Sequence, residues 1–168
     1  FAVAGVGKLS LGHAAGADYP NRNVRMVVPF APGSPIEVVG RLVAQRLSET
    51  WGQAIVVDSR PGASGTLGAD LVAKAPRDGY TMLIGNSGTH AYSQSLYKRK
   101  PYDSLADFEP AGIVTESPRI LIARKGLPVN NLQELVAFMK ANQAKMQYSS
   151  AGVGSGTHLP CALLNHTL

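Results

Sequence analysis

The 168-residue chain is 45% apolar and 16% charged, a balance that excludes an intrinsically disordered protein and indicates a folded one. Its net charge of +5 favours an anionic ligand or surface, but its one basic cluster, Lys98–Lys100, lacks the interleaved aromatic residues of a nucleic-acid-binding surface. The single cysteine, Cys161, excludes an internal disulfide framework, and we expect no nucleic acid partner.

The first 17 residues have features of an export signal. Phe1–Gly7 is apolar, and Ala15–Ala17 has the small-x-small pattern that signal peptidases cleave. We therefore predict that residues 1–17 are a partial or irregular signal peptide, or else a disordered tail, and that the protein is exported. No run in the chain approaches the roughly 18 apolar residues that a membrane-spanning helix needs, so we expect no membrane-embedded segment.

The first strand–helix unit is well signalled. The apolar run Val24–Phe30 predicts a strand buried on both faces, and Pro35–Trp51 predicts an amphipathic helix. Ser34 suits the N-cap position, and Glu37 follows it at the spacing of a capping box, with the proline at the first helical position. Gly52 is predicted to end the helix.

Two further strands are predicted after the first helix. The strand Ala54–Val57 leads to a helix from about residue 66 to residue 75, and the strand Thr81–Ile84 leads into the loop Asn86–His90. Residues 91–110 are turn-rich and basic, which predicts a connector over the surface. The alternation of strands and helices predicts a mainly parallel α/β sheet.

A new α/β unit is predicted beyond residue 110. Its strands are expected at Ile113–Val114, Ile120–Ala123 and Met146–Ser150. The helix before the last of these strands has Asn131 as its N-cap and Glu134 as its third residue, another capping box. A final helix is expected to begin at Leu159 and to be disturbed by Pro160.

Apolar, strand-like runs end four times in turns rich in Gly, Ser and Thr. These turns are Ala31–Ser34, Arg60–Gly65, Asn86–Thr89 and Ala151–Thr157. Backbone N–H groups at the start of a helix lack partners and carry partial positive charge, and glycine lets an anion approach them closely. Because such turns lie at the carboxyl ends of strands in one sheet, the sequence predicts a cleft for a carboxylate or phosphate.

Other kinds of site fit the sequence less well. Neither Gly62–Gly68 nor Gly152–Gly156 is a complete dinucleotide fingerprint, and the P-loop lysine is absent. Gly85–Thr89 is similar to a nucleophile elbow, but its fifth residue is Thr. An α/β enzyme that acts on a carboxylate or phosphate ester through Ser87 or His90 stays an open alternative.

The sequence favours neither a catalytic Cys–His pair nor a metal site. Cys161 lies three residues after His158, but most lone cysteines behave as small hydrophobic residues. The four histidines, His13, His90, His158 and His166, show no metal-ligand spacing. We therefore expect no metal and no cofactor.

Seven short stretches, in their order and spacing, carry a resemblance to a known family. They are Tyr19 with Pro20, Val27–Ser34, Arg60–Gly65, Asp78–Tyr80, Gly85–His90, Pro101–Asp103 with Asp107 and Phe108, and Ser149–His158. Together they resemble the Bug family, the periplasmic solute receptors of tripartite tricarboxylate transporters, from residue 18 to about residue 159. The resemblance implies an α/β, periplasmic-binding-protein-like fold of type II, the two-lobed Venus-flytrap architecture.

The resemblance implies a non-enzymatic periplasmic receptor that holds a small carboxylate between its lobes and serves the membrane components of a transporter. The first lobe is expected over residues 18–112 and the N-terminal part of the second over residues 113–168, with a hinge near residues 110–119. Because family members are nearly twice as long, the C-terminal part of the fold is expected to be missing.

By position, the resemblance also implies the residues that grip the ligand through N–H groups, hydroxyls and bridging waters. The first-lobe candidates are Pro32, Gly33, Ser34, Pro35, Ser87, Gly88, Thr89 and His90, and Glu37 joins them because it lies at the start of the helix that faces the cleft. The second-lobe candidates are Ala151, Gly152, Val153 and Ser155. Family members often have a second Gly and an Asp where this chain has Ser34 and Glu37, so Glu37 is expected to crowd the cleft or shift ligand preference. Glu37 either caps its helix or reads a ligand's ammonium or hydroxyl group.

Two alternatives to a receptor remain open from the sequence. The first is the α/β enzyme described above. The second is a non-functional or swapped fragment whose exposed strands pair with another chain.

Overall fold

A computed structural model of the chain describes residues 19–167, so the predicted export signal lies outside the described residues. The strands are β1 (Val24–Val28), β2 (Ile55–Ser59) and β3 (Thr81–Leu83). The α-helices are α1 (Pro35–Trp51), α2 (Thr66–Ala73), α3 (Ser93–Leu96), α4 (Leu132–Ala141) and α5 (His158–Thr167). Short 3₁₀ turns cover Ala63–Gly65 and Gln143–Lys145, and a π-helical turn covers Gly88–Tyr92. None of the described helices is both long and apolar enough to cross a bilayer.

The three strands form one parallel sheet in the order β2-β1-β3. The connection from β1 to β2 and the connection from β2 to β3 run in opposite directions across the sheet. Because parallel crossovers are right-handed, α1 and α2 therefore cover opposite faces. The predicted parallel α/β arrangement is confirmed for this part of the chain.

The hydrophobic core lies between the sheet and α1. Its buried members are Met26, Val28, Ala44 and Ile84, with Ile36, Val43, Leu47, Ile55 and Val57 packed around them. Gly40 lets α1 approach closely, because a Cβ there would lie 3.0 Å from a methyl carbon of Val28. The central strand β1 is therefore fixed from both edges and from this face.

The start of α1 differs in one detail from the prediction. Ser34 is the N-cap residue and the helix begins at Pro35, but the Ser34 side chain makes no capping hydrogen bond. The Glu37 carboxylate instead accepts a 3.2 Å hydrogen bond from the Gly33 N–H and pairs with Arg41. The reciprocal capping box is therefore wrong, whereas the predicted end at Gly52, in the left-handed conformation, is confirmed.

The surface connector is shorter and better anchored than predicted. Residues 91–110 include the end of the π-helical turn and the one-turn helix α3. Tyr102 is buried, and its hydroxyl donates to the Thr89 carbonyl. This tyrosine ties the connector to the loop that follows β3.

The three strands predicted after residue 110 are wrong. Ile113–Val114, Ile120–Ala123 and Met146–Ser150 have no strand partners among the described residues, and Ile113, Ile120 and Ile122 are largely exposed. A strand needs a neighbour for its backbone groups, and apolar composition alone does not supply one.

The two helices predicted in this half of the chain are present. In α4, Asn131 Oδ1 accepts from the Glu134 N–H at 2.9 Å, which confirms the N-cap. The expectation that Pro160 disturbs the last helix is wrong, since α5 runs from His158 through it. Pro160 lies in the first turn, where the N–H groups have no intrahelical partner in any case.

Candidate functional site

The candidate site is the edge of the sheet where all three parallel strands end. The turn Ala31–Ser34 follows β1, the turn Arg60–Gly65 follows β2 and the loop Gly85–His90 follows β3. The turn after β1 lies between the other two because β1 is the central strand. The sheet topology therefore places the first-lobe candidate residues along one edge, as predicted from the parallel order.

The turn after β1 offers backbone groups and one unpaired hydroxyl. Pro32, Gly33 and Pro35 are exposed at the N-terminus of α1. Ser34 Oγ is buried and has no hydrogen-bond partner within the described structure. A buried hydroxyl without a partner costs free energy, and a ligand or a water molecule at this edge would relieve that cost.

Glu37 is a structural part of this turn. It is buried, and Arg41 together with the Gly33 N–H satisfies its carboxylate. The capping interpretation of Glu37 is therefore favoured in a modified form, with Gly33 as the recipient. The Glu37 carboxylate holds the turn in place through its hydrogen bond with the Gly33 N–H, while Pro32 and Gly33 remain exposed.

The loop after β3 is held by its own side chains. Thr89 is fully buried, and its Oγ1 accepts from the Asn86 N–H and donates to the Asn86 carbonyl, both at 3.0 Å. The Asn86 side chain returns a bond, accepting from the Thr89 N–H at 3.1 Å. Thr89 thus serves as a support that shapes the loop, while Ser87 remains exposed at the edge.

His90 is part of the same support. Its Nδ1 lies 2.8 Å from Thr89 Oγ1, and its ring packs edge-on against Phe108, with ring centroids 4.9 Å apart. Burial lowers the pKa of His90 below its ordinary value, and a hydrogen bond to the Asn86 backbone offsets part of that effect. The imidazole is thus held neutral, with its ring engaged by Thr89 and Phe108.

This burial predicts a loss of stability in acid. The unfolded chain binds a proton at His90 near pH 6.5, whereas the folded protein resists it. The stabilisation is fully present above pH 6.5 and is lost as pH falls from there through the lower folded-state pKa. Urea unfolding of the wild-type protein and His90→Gln between pH 7.5 and 5 checks this, and an identical acid decline in both proteins would contradict it.

The Gly-rich turn at residues 151–157 lies against the turns after β2 and β3. Ser64 Oγ donates a 2.6 Å hydrogen bond to the Val153 carbonyl. A Cβ at Gly88 would lie 3.2 Å from the Gly156 nitrogen, so these two backbones approach closely. The structure therefore brings Ser87 and Gly88 close to the turn at residues 151–157.

Within that turn, Ser155 has a structural role. It is buried, and its Oγ accepts from the His158 N–H at 3.2 Å, at the start of α5. Ala151 is tied to Thr157 by a 2.9 Å bond from its N–H to the threonine hydroxyl. Ala151, Gly152 and Val153 are exposed, and their backbone faces the same edge as Ser64.

A small cavity lies beside this junction. It has a volume of about 190 Å³ and its lining is largely apolar. The lining residues are Leu96, Tyr97, Val153, Gly154, His158 and Leu159.

Two residues at the junction were missed by sequence reasoning. From the sequence, Ser64 stands out only as part of the turn Arg60–Gly65, and no pattern marks Arg119. Arg119 Nη2 donates a 2.8 Å hydrogen bond to Ser87 Oγ. Ser87 is therefore bonded to a guanidinium and not to a histidine, so the described geometry does not form the Ser–His pair of a hydrolase.

Most of the chain is similar to known proteins. The model of the TctC family, described as tripartite tricarboxylate transporter family receptors, matches residues 39–168. The chain belongs to this family. The resemblance stated from the seven sequence stretches is thereby confirmed, since the Bug proteins are among the relatives and neighbours found.

Individual TctC relatives agree with this assignment. A UPF0065 protein from Pseudomonas sp. strain P51, encoded in the tcbD-tcbE intergenic region, is 38% identical over 146 residues, which cover 87% of this chain and 43% of that protein. The periplasmic binding protein BugD is 38% identical, with a TM-score of 0.76 over 89% of this chain and 50% of that one. The α/β, periplasmic-binding-protein-like fold class is thus confirmed.

Two solved TctC-like structures contain ligands. MatC from Rhodopseudomonas palustris, solved with bound malate, is 38% identical, with a TM-score of 0.81 over 88% of this chain and 50% of that one. An R. palustris protein solved with adipate is also 38% identical, with a TM-score of 0.73 over 87% of this chain and 49% of that one. The chain spans about half the length of the relatives and structures that it matches.

Proposed function

We propose that the protein is an extracytoplasmic receptor that captures a small dicarboxylate for a tripartite tricarboxylate transporter. Its place is the periplasm, and its partners are the membrane components of the transporter. Family membership supports a receptor rather than an enzyme. Malate and adipate, bound to two proteins of similar fold, are both small dicarboxylates, which supports that ligand class.

One observation carries the proposal. The loop after β3 and the turn at residues 151–157 approach each other at Gly88 and Gly156, where a Cβ on Gly88 would lie 3.2 Å from the Gly156 nitrogen. A ligand placed beside this junction, at the exposed Ser87, would contact both halves of the chain at once. Its carboxylate oxygens would accept from the Ser87 hydroxyl and from backbone N–H groups of both turns, and the adjoining cavity would take the carbon chain.

The lobe assignment completes the proposal. Residues 18–112 belong to the first lobe and residues 113–168 to the second, with the hinge near residues 110–119. The ligand is bound by the exposed members of the predicted set, while Glu37, Thr89, His90 and Ser155 hold the turns in shape. Closure of the lobes around the ligand is the signal that the membrane partners read.

The experiment is a calorimetric titration of the purified chain with succinate, malate and adipate. Ser87→Ala removes a hydrogen bond to a charged group, so its dissociation constant is expected to rise roughly tenfold or more. Thr50→Ala is the control, because Thr50 is exposed near the other end of α1 and its hydroxyl bonds only to Arg46 of its own helix. Equal affinity in the two variants would contradict the site, and conversion of the acid would contradict a receptor.

A further inference from the structure

Of the turns at the candidate site, only the one after β2 contains a formal charge, Arg60, and that residue pairs with Asp58. Ala31–Pro35, Gly85–Thr89 and Ala151–Thr157 include no lysine, arginine, aspartate or glutamate. A carboxylate bound only by hydroxyls and N–H groups would keep its charge without a counter-ion. A counter-ion for that carboxylate must therefore come from another part of the fold.

Arg119 is at that position. Besides donating to Ser87 Oγ at 2.8 Å, its guanidinium lies beside Gly156, where a Cβ would be 3.2 and 3.3 Å from the two Nη atoms. Its Cζ lies 6.0 Å from the centroid of the Tyr92 ring, on the π-helical turn after Ser87. The glycine thus leaves room for the guanidinium at the point where the two turns meet.

Arg119 has no carboxylate partner within the described residues. Seven other basic side chains in that part of the chain do pair with acidic ones, namely Arg22, Arg25, Arg41, Arg46, Arg60, Lys74 and Arg77. A guanidinium has five donors in a planar fork that matches a carboxylate, and the Ser87 bond occupies one of them. The remaining donors are available for an acid at the junction.

We propose that Arg119 is a specificity-determining residue that binds one carboxylate of the ligand together with Ser87. The other carboxylate lies on the uncharged turns, so the pair selects dicarboxylates over monocarboxylates of the same length. This inference rests on the proposed function and adds to it the residue that reads the second charge.

The test measures a ratio of affinities. The probes are succinate against butyrate and adipate against hexanoate, which differ within each pair by one carboxylate. Arg119→Gln is expected to weaken binding of the dicarboxylates roughly tenfold to a hundredfold and to leave the monocarboxylates within about threefold, because the proposed pose places the single carboxylate of a monocarboxylate on the uncharged turns and not on Arg119. Arg119→Lys, which keeps the charge without the planar fork, is expected to fall between.

Controls separate binding from folding. Arg124→Gln removes an exposed arginine that lies in the same irregular segment and pairs with no carboxylate in the described part of the chain, and should leave both ratios unchanged. The melting temperature of each variant reports on folding, and Arg119→Lys decides the matter if Arg119→Gln does not fold. Raising the salt concentration should weaken succinate binding more steeply in the wild-type protein than in Arg119→Gln.

The outcomes distinguish this inference from the proposed function. If Arg119→Gln binds succinate and adipate with the wild-type preference, Arg119 does not read the second charge, and the receptor proposal stands without it. If the wild-type protein binds none of the four acids, both proposals fall. If both ratios collapse in Arg119→Gln and stay in Arg124→Gln, the assignment holds.

Discussion

Gly65→Ala is expected to lower the free energy of unfolding by about 2–5 kcal/mol, from backbone strain and overpacking together. Gly65 has a φ of +95°, which L-residues rarely adopt, at the point where the turn after β2 enters α2. A Cβ there would lie 2.7 Å from Thr89 Cγ2 and 3.1 Å from Phe30 Cζ. Thr89 belongs to the loop that carries Ser87, and Phe30 directly precedes the turn after β1, so the change should also displace that loop.

The matched control is Gly52→Ala. Gly52 also has a positive φ, +66°, but a Cβ there meets nothing within 4 Å. It should cost only the strain, about 1–2 kcal/mol. Urea unfolding of both variants gives the difference, which reports the close packing between the turns after β2 and β3. Equal losses would mean that the turns tolerate a methyl group and that the packing argument is wrong.

Met26→Ala is expected to lower the free energy of unfolding by about 2–5 kcal/mol, the range for truncating a fully buried side chain of this size. Met26 is 2% exposed and lies in the middle of the central strand, against α1. The cavity left behind cannot collapse easily, because β1 is held by a strand on each edge. Chemical denaturation monitored by circular dichroism measures the loss.

Met82→Ala is the control for that variant. Met82 is the register partner of Met26 in β3, so the two changes remove the same atoms from neighbouring strands. Met82 is only half-buried, and its truncation should cost less than half as much. A larger loss at Met82 would show that the core is centred elsewhere.

Helices whose ends are marked by capping or helix-ending residues could be predicted from the sequence. Helix α1 begins at Pro35 and ends before Gly52, and α4 begins after Asn131, because these residues act on the backbone next to them. The parallel sheet followed from the alternation of apolar runs and helices. Each of these signals lies within a few residues of the structure that it determines.

Elements that depend on distant partners could not be predicted in the same way. The run Ile120–Ala123 has the composition of a buried strand, yet it is exposed and unpaired in the described chain. The sequence shows the preference of a segment for a strand but not whether a neighbour is present to receive its hydrogen bonds. The prediction that Pro160 disturbs the last helix was wrong for a different reason, since the effect of a proline depends on its exact position in the helix.

The candidate site was predictable in its turns and not in its side chains. Glycine and hydroxyl residues after apolar runs marked the edge of the sheet correctly for the turns after β1, β2 and β3, but the turn at residues 151–157 does not follow a strand in the described structure. Arg119 carries no pattern, because a single cation in an irregular segment looks like any exposed arginine. Its contact with Ser87 is made across 32 residues and exists only in the folded protein.

The strand order has a consequence for how the protein is made. β1 leaves the ribosome before β2 and β3, yet it is the middle of the three-stranded sheet, and both of its edges must wait for later segments. Val24 finds its partner only when Ile55 has been synthesised, and Arg25 gains its second neighbour only with Thr81. Until then the most buried of the described strands has open edges: a truncation before β2 leaves both edges of β1 unpaired, and a truncation between β2 and β3 leaves one.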